Sequence, residues 1–225
     1  MAFVSDGDMS GVPDVGAGLH FRAAGPRDAA ACAPLVFASG VKEFGFFIGE
    51  PDARCIAFLQ RTFASRFGRF SWRRHRVAVS DDGQVLGVLA VHDGRRTRFD
   101  DIHVAWALMR FFGIRRTLGM LLRGLVLETE LPAPARSQML IAHCATDMRY
   151  RGTGIFSALL ADACRVGMIP SGGHRDVVLD VLTSNVRART LYERRGFVAL
   201  PRSSRRSSRL PAELESIRMR LGKGA

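Results

Sequence analysis

The sequence predicts a mixed α/β (α+β) fold, a largely antiparallel central sheet flanked by helices, with a helical insertion between two strands. Three observations carry this. An Asp-Gly turn in "DDGQ" separates two β-rich runs, "RHRVAVS" and "VLGVLAVH", and marks a hairpin near the centre of the chain. Helical and strand periods alternate on either side of it. Between that hairpin and the next strand the pattern is helical from Gly94 to Ser137 and closes in a proline-containing loop, "LPAPARS".

In chain order, Met1 to Gly18 is rich in glycine and aspartate, lacks apolar periodicity, and reads as a flexible leader to a domain over 19–225. "LHFRAA" is a short strand. Pro26 sits near the start of a helix in "GPRDAAACAPLVFAS", and "EPDARCIAFLQRTFASRF" supplies a second helix after a loop, "GVKEFGFFIG". After the hairpin and the insertion, placed at about 94–137, "QMLIAHCATD" returns to strand. A glycine loop and an apolar-faced helix follow it, "RYRGTGIFSALL". "DVVLDVLT" is a strand, Val186 to Arg195 a helix with Asn185 at its N-cap and Gly196 at its stop, and "IRMRL" a last strand. "PRSSRRSSR" reads as a solvated, mobile loop.

Composition narrows the classes. With 225 residues, 47% of them apolar, the chain can bury a sizeable core. Cys32, Cys55, Cys144 and Cys164 form no Cys-x-x-Cys pair and meet no histidine at zinc-finger spacing, so neither a disulfide framework nor a metal site is expected. No secretion signal opens the chain, and four arginines interrupt its longest apolar region, so a cytoplasmic protein without a membrane span is the expectation. The net charge is +12, almost all of it arginine, since lysine occurs only at Lys42 and Lys223. No aromatic-basic platform accompanies that charge, which argues against nucleic acid as the partner.

The glycine loop before an apolar helix is the sharpest signal, because unpaired N–H groups of a first helical turn suit an anionic phosphate. A P-loop reading fails, since Gly154 is followed by Ile155 and Phe156 rather than by lysine and a hydroxyl residue. A dinucleotide fingerprint fails too, because Ser157 occupies its third glycine slot and repeated βαβ units are lacking. Taken with "NVRARTLYERRGF" about thirty residues downstream, the loop resembles the GNAT superfamily of acetyl-CoA-dependent N-acetyltransferases. The match is Arg151-Gly152-Thr153-Gly154-Ile155-Phe156, with Phe156 where the family has a small residue. Arg149-x-x-Gly152-x-Gly154 is the alternative frame.

That resemblance implies acetyl-CoA as co-substrate and direct transfer to a small-molecule or peptide primary amine in a ternary complex. Cys144, Ala145 and Thr146 would line the cofactor on a splayed strand edge, Arg151 to Phe156 would cradle its pyrophosphate, and Asn185 would contact it, although an N-cap role also explains Asn185. Tyr192 corresponds to the donor that meets the departing thiolate. His143, on the strand, is the candidate general base, with Glu43 and Glu50 as alternatives. A small buried thiol is the plainer reading of Cys144. Arg149, Arg187 and Arg189 are within sequence reach of the phosphates. The insertion is a candidate acceptor lid or homodimer face. A non-catalytic acyl-CoA sensor is the competing function.

Overall fold

The computed structural model describes residues 18–97, 99–170, 175–202 and 207–222. The leader expected over 1–18 therefore lies, but for Gly18, outside the described residues, as does the middle of the loop 201–209. Seven strands form one sheet in the order β1-β2-β3-β4-β5-β7-β6. They are β1 (His20–Ala23), β2 (His75–Val79), β3 (Val85–Asp93), β4 (Gln138–Thr146), β5 (Asp176–Leu182), β6 (Phe197–Ala199) and β7 (Ser216–Leu221). Every neighbouring pair is antiparallel except β4 with β5. The expected hairpin is β2–β3, closed by Gly83 at φ 81° and by a bond from Ser80 N–H to the Gln84 carbonyl (3.0 Å). β3 is buried on both faces along nearly its whole length, which is why it reads as a continuous apolar run rather than an alternating one.

Two cores lie on opposite faces of this sheet. The first is built by α1 (Ala29–Ala38), α2 (Val41–Ile48), α3 (Asp52–Phe63), α4 (Asp100–Phe112) and α5 (Ile114–Glu128). Phe37, Phe58, Phe63, Leu108 and Met120 fill it against Val77 and Val88. The second packs α6 (Ile155–Arg165) and α7 (Val186–Arg194) on the sheet through Ile155, Leu159, Tyr192 and Phe197. Arg76 of β2 pairs with Asp162 of α6 across that layer.

Two local expectations change. The stretch 40–49, expected as a loop, is helix α2. Its glycines suggest punctuation, yet Gly40 and Gly49 (φ 67°) merely bound the helix, and Phe44 and Ile48, four residues apart, bury on the core side. β6, three residues long, carries no periodic signal and exists because it pairs with β7. The insertion is a helical hairpin, α4 and α5, broken at Gly113 (φ 82°). It leaves and rejoins the sheet at one point: Gly94 donates to the Gln138 carbonyl (3.1 Å), and a Cβ at Gly94 would sit 1.9 Å from the Ala135 carbonyl oxygen. Arg123 of α5 fastens it to the body by donating to the Phe47 and Ile48 carbonyls at the end of α2 (3.1 and 2.7 Å).

Candidate active site

β4 and β5 pair only from Gln138↔Asp176 to Ile141↔Leu179. Beyond that point β5 continues on β7, through Asp180↔Arg218 to Leu182↔Ser216, and β4 parts from it. The edge Ala142–Thr146 thus faces a gap in the sheet instead of a strand. On its other side β4 carries a bulge: Ala142 opposes Ala90 and Ala145 opposes Val88, so His143 and Cys144 share the place opposite Leu89. His143 absorbs the irregularity at φ 53°, left-handed backbone that costs a residue with a Cβ about 1–2 kcal/mol. The bulge sends the two side chains to opposite faces. His143 lies among Phe44, Phe70 and His75 of the first core side, and Cys144 packs with the second.

The gap runs into the glycine loop. Asp147 caps the turn at Met148–Tyr150, then Gly152 (φ 90°) and Gly154 (φ 89°) both take left-handed backbone, and α6 begins at Ile155. No side chain caps its first turn, so its N–H groups stay directed at the space in front of the helix. Gly87 of β3 lets this end of α6 settle on the sheet, since a Cβ there would lie 3.0 Å from Ile155 Cγ2. Phe156, the second residue of α6, turns away from the loop and meets Tyr192 edge-on (5.7 Å between centroids). Of the nearby arginines, Arg149 is bound to Asp147 (2.9 Å) and Arg189 to Glu193 (3.0 Å). Arg187 extends over Gly152, 3.5 Å from where its Cβ would be, and neither it nor Arg151 has an ion-pair partner among the described residues.

Tyr192, 9% exposed, sets its hydroxyl beside the Cys144 thiol from the second core side. Burial raises the hydroxyl well above its ordinary value of 10, and the neighbouring Cys144 adds to that. Burial also pushes the Cys144 thiol up to about 12, so it stays protonated and is no nucleophile. Asn185 accepts the Ala188 N–H (3.1 Å), the N-cap bond its position suggested.

Sequence reasoning missed the surroundings of His143. His75 Nδ1 lies 2.8 Å from the Ser71 carbonyl, which can only accept, so that nitrogen carries the proton. Burial lowers His75 to about 4, leaving it neutral, and its Nε2 is then an acceptor. His143 Nδ1, 3.0 Å away, therefore donates to it, and this assignment leaves His143 Nε2 as a lone pair. The two rings stack at 5.2 Å, while His92 meets His143 edge-on at 5.4 Å with both its nitrogens buried and unpartnered. Burial, then His75 and Arg69, keeps His143 well below 6.5. A signal existed: register counted from the Asp-Gly turn sets His75 opposite Ala90, two residues from His92. No group of three or more histidine, cysteine or acidic side chains among the described residues is arranged to hold a metal ion. Glu43 and Glu50 also separate. Glu50 is tied to Arg54 (3.3 Å) and Arg116 (3.0 Å), whereas Glu43 on α2 has Oε2 buried without a partner, and burial raises its carboxyl.

Sheet, gap and glycine-led helix together define the acetyltransferase class of fold. The chain is similar to an acetyltransferase of known crystal structure, at 18% identity and a TM-score of 0.60, over 89% of this chain and 97% of that one. It is likewise similar to an N-acetyltransferase from Staphylococcus aureus Mu50, at 16% identity and a TM-score of 0.63, over 89% and 99%. A histone acetyltransferase HPA2 and related acetyltransferase from Corynebacterium glutamicum ATCC 13032 gives 20% identity and a TM-score of 0.52, over 91% and 96%. Residues 45–197 match the Acetyltransferase (GNAT) family, and the chain belongs to it. Acetyl-CoA-dependent acetyl transfer is that family's general reaction. No curated protein matches the sequence. No single helix among the described residues is long and apolar enough to cross a membrane.

Proposed function

We propose that this protein moves the acetyl group of acetyl-CoA directly onto a primary amine, with both substrates held in the gap between β4 and β5. The observation that carries this reading is continuity: an unpaired strand edge leads straight into two left-handed glycines and an uncapped helix. These residues fit coenzyme A. Gly152 and Gly154 allow a pyrophosphate to approach the backbone, the N–H groups of Gly152, Gly154, Ile155 and Phe156 are the donors offered to it while those of Arg151 and Thr153 bond the Met148 and Tyr150 carbonyls, and Arg151 and Arg187 supply positive charge.

Bound acetyl-CoA supplies an activated thioester. The chain's part is to align it along Cys144, Ala145 and Thr146 and to offer edge N–H groups to its carbonyl oxygen. On the first core side His143 Nε2, fixed as an acceptor through His75 and Ser71, takes a proton from the acceptor amine. On the second side Tyr192 donates its O–H to the sulfur that departs, in the place where it now meets the Cys144 thiol. Glu43, with its unpartnered oxygen, is the group on the amine side suited to a cationic acceptor.

Titration calorimetry with acetyl-CoA, followed by thiol release across a panel of amines, tests this. Binding together with amine-dependent release is the expected result. Binding without release from any amine establishes an acyl-CoA sensor instead, and no binding at millimolar acetyl-CoA removes both readings.

A further inference from the structure

The helical hairpin α4–α5 turns apolar residues outward as well as inward. Along α4, Ile102, Trp106 and Met109 recur at helical spacing on the side opposite the buried Leu108 and Phe112, and Trp106 is 60% exposed. Along α5, Ile114, Leu118, Leu122 and Leu125 do the same opposite Thr117 and Met120, with Ile114 at 74% and Leu118 at 64%. Eight large apolar side chains on two consecutive helices, once Leu121 is included, exceed the scattered exposure of an ordinary surface.

Charge around this face is one-sided. Near the Gly113 turn stand Arg110, Arg115 and Arg116, and among the described residues only Arg116 of the three has a carboxylate partner, Glu50. The acids of the hairpin, Asp100, Asp101 and Glu128, occupy its far end, where Arg74 and Arg69 hold the two aspartates. The Arg110 guanidinium lies over the Trp106 ring (5.5 Å), and beside them a cavity of about 160 Å³ is lined by Arg61, Phe67 and Arg69. A second copy of this chain would bring the same arginines to the same contact, on a molecule of net charge +12. An anionic lipid surface supplies what the face lacks, phosphates for the arginines and acyl chains for the leucines and Trp106.

We propose that the outward face of α4–α5 docks this protein on an anionic phospholipid bilayer, with the Gly113 turn and Trp106 at the headgroup level. The docking is peripheral and reversible. It is independent of the acetyl-transfer reading, because no residue of that site belongs to α4 or α5.

The full chain is mixed with phosphatidylcholine vesicles, with or without phosphatidylglycerol, and the bound fraction is read by sedimentation. Binding is expected only with phosphatidylglycerol and falls as salt rises. Arg110→Gln and Arg115→Gln each weaken it by about fivefold, and Leu118→Glu with Leu122→Glu abolishes it without changing the thermal midpoint. In a Trp72→Phe background, where Trp106 is the remaining tryptophan, its emission shifts to the blue on anionic vesicles. Failure to bind anionic vesicles at low salt overturns the proposal. So does binding that survives the paired Leu→Glu change, or a dimer seen by light scattering that the same change dissolves.

Discussion

Replacing Tyr192 by Phe removes one oxygen and keeps the ring, with its edge-on contacts to Phe156 (5.7 Å) and Phe197 (6.0 Å). What disappears is the O–H that now meets the Cys144 thiol. With a thiol near 8.5 and a tyrosine near 10, handing a proton to a departing thiolate is uphill by roughly 1.5 units, about 2 kcal/mol. Burial raises the Tyr192 hydroxyl well above 10 and widens that gap. Its contribution is then a hydrogen bond to developing charge, about 1.5–3 kcal/mol, or roughly 10- to 150-fold in kcat. Thiol release with a saturating amine should show Tyr192→Phe losing kcat in that range, while calorimetry finds acetyl-CoA affinity within about threefold of the parent. The parent's kcat should also show no alkaline limb up to about pH 9.5, because the hydroxyl stays protonated. A kcat loss below about threefold would refute the assignment. An alkaline limb near about pH 9 that vanishes in Tyr192→Phe would refute the argument that full transfer is too costly.

Four further outcomes follow from the same geometry. His143→Asn, which keeps the left-handed backbone comfortable, should cut kcat by about 100-fold with little change in acetyl-CoA affinity; an unchanged kcat in the thiol assay removes His143 as the base. Gly154→Ala meets open space but must hold φ 89°, so it should cost about 1–2 kcal/mol in a urea titration and weaken acetyl-CoA binding; equal stability would show the loop free to relax. His75 is held at about 4, below its ordinary value, so the unfolded chain takes up its proton first as pH falls. Stability should drop between about pH 6.5 and about pH 4, by about 1.4 kcal/mol per pH unit from His75, with His92 and His143 acting in the same direction. His92→Leu, which removes two unpartnered nitrogens, should flatten that slope and raise the urea midpoint at neutral pH; a lower midpoint would mean that His92 has a partner.

The sheet was legible because its signals are local. Asp-Gly with Gly83 dictates the β2–β3 turn whatever surrounds it, and Gly113, Gly154 and Gly196 each stand where a helix begins or ends at positive φ. Helix α2 was not legible, because its identity comes from what Phe44 and Ile48 bury against, and three glycines in ten residues point the other way. In the site, Tyr192 and the glycine loop were readable from one stretch of chain each. The His75–His143 bond joins residues 68 apart, and the bulge that presents His143 arises from a mismatch between β3 and β4 that neither strand encodes alone.

The contact of Gly94 with Ala135 makes the hairpin a side branch in connectivity: cut at its base, the chain would pass from β3 to β4 through a short turn. Energetically it is no branch, because Leu108, Phe112 and Met120 belong to the same core as Phe58 and Val77. Lengthening, reshaping or recharging the outer surface of the hairpin is therefore open to evolution without disturbing the gap between β4 and β5, whereas losing it would expose the interior on that side of the sheet. Such an appendage can acquire new docking preferences while the sheet beneath it stays unchanged.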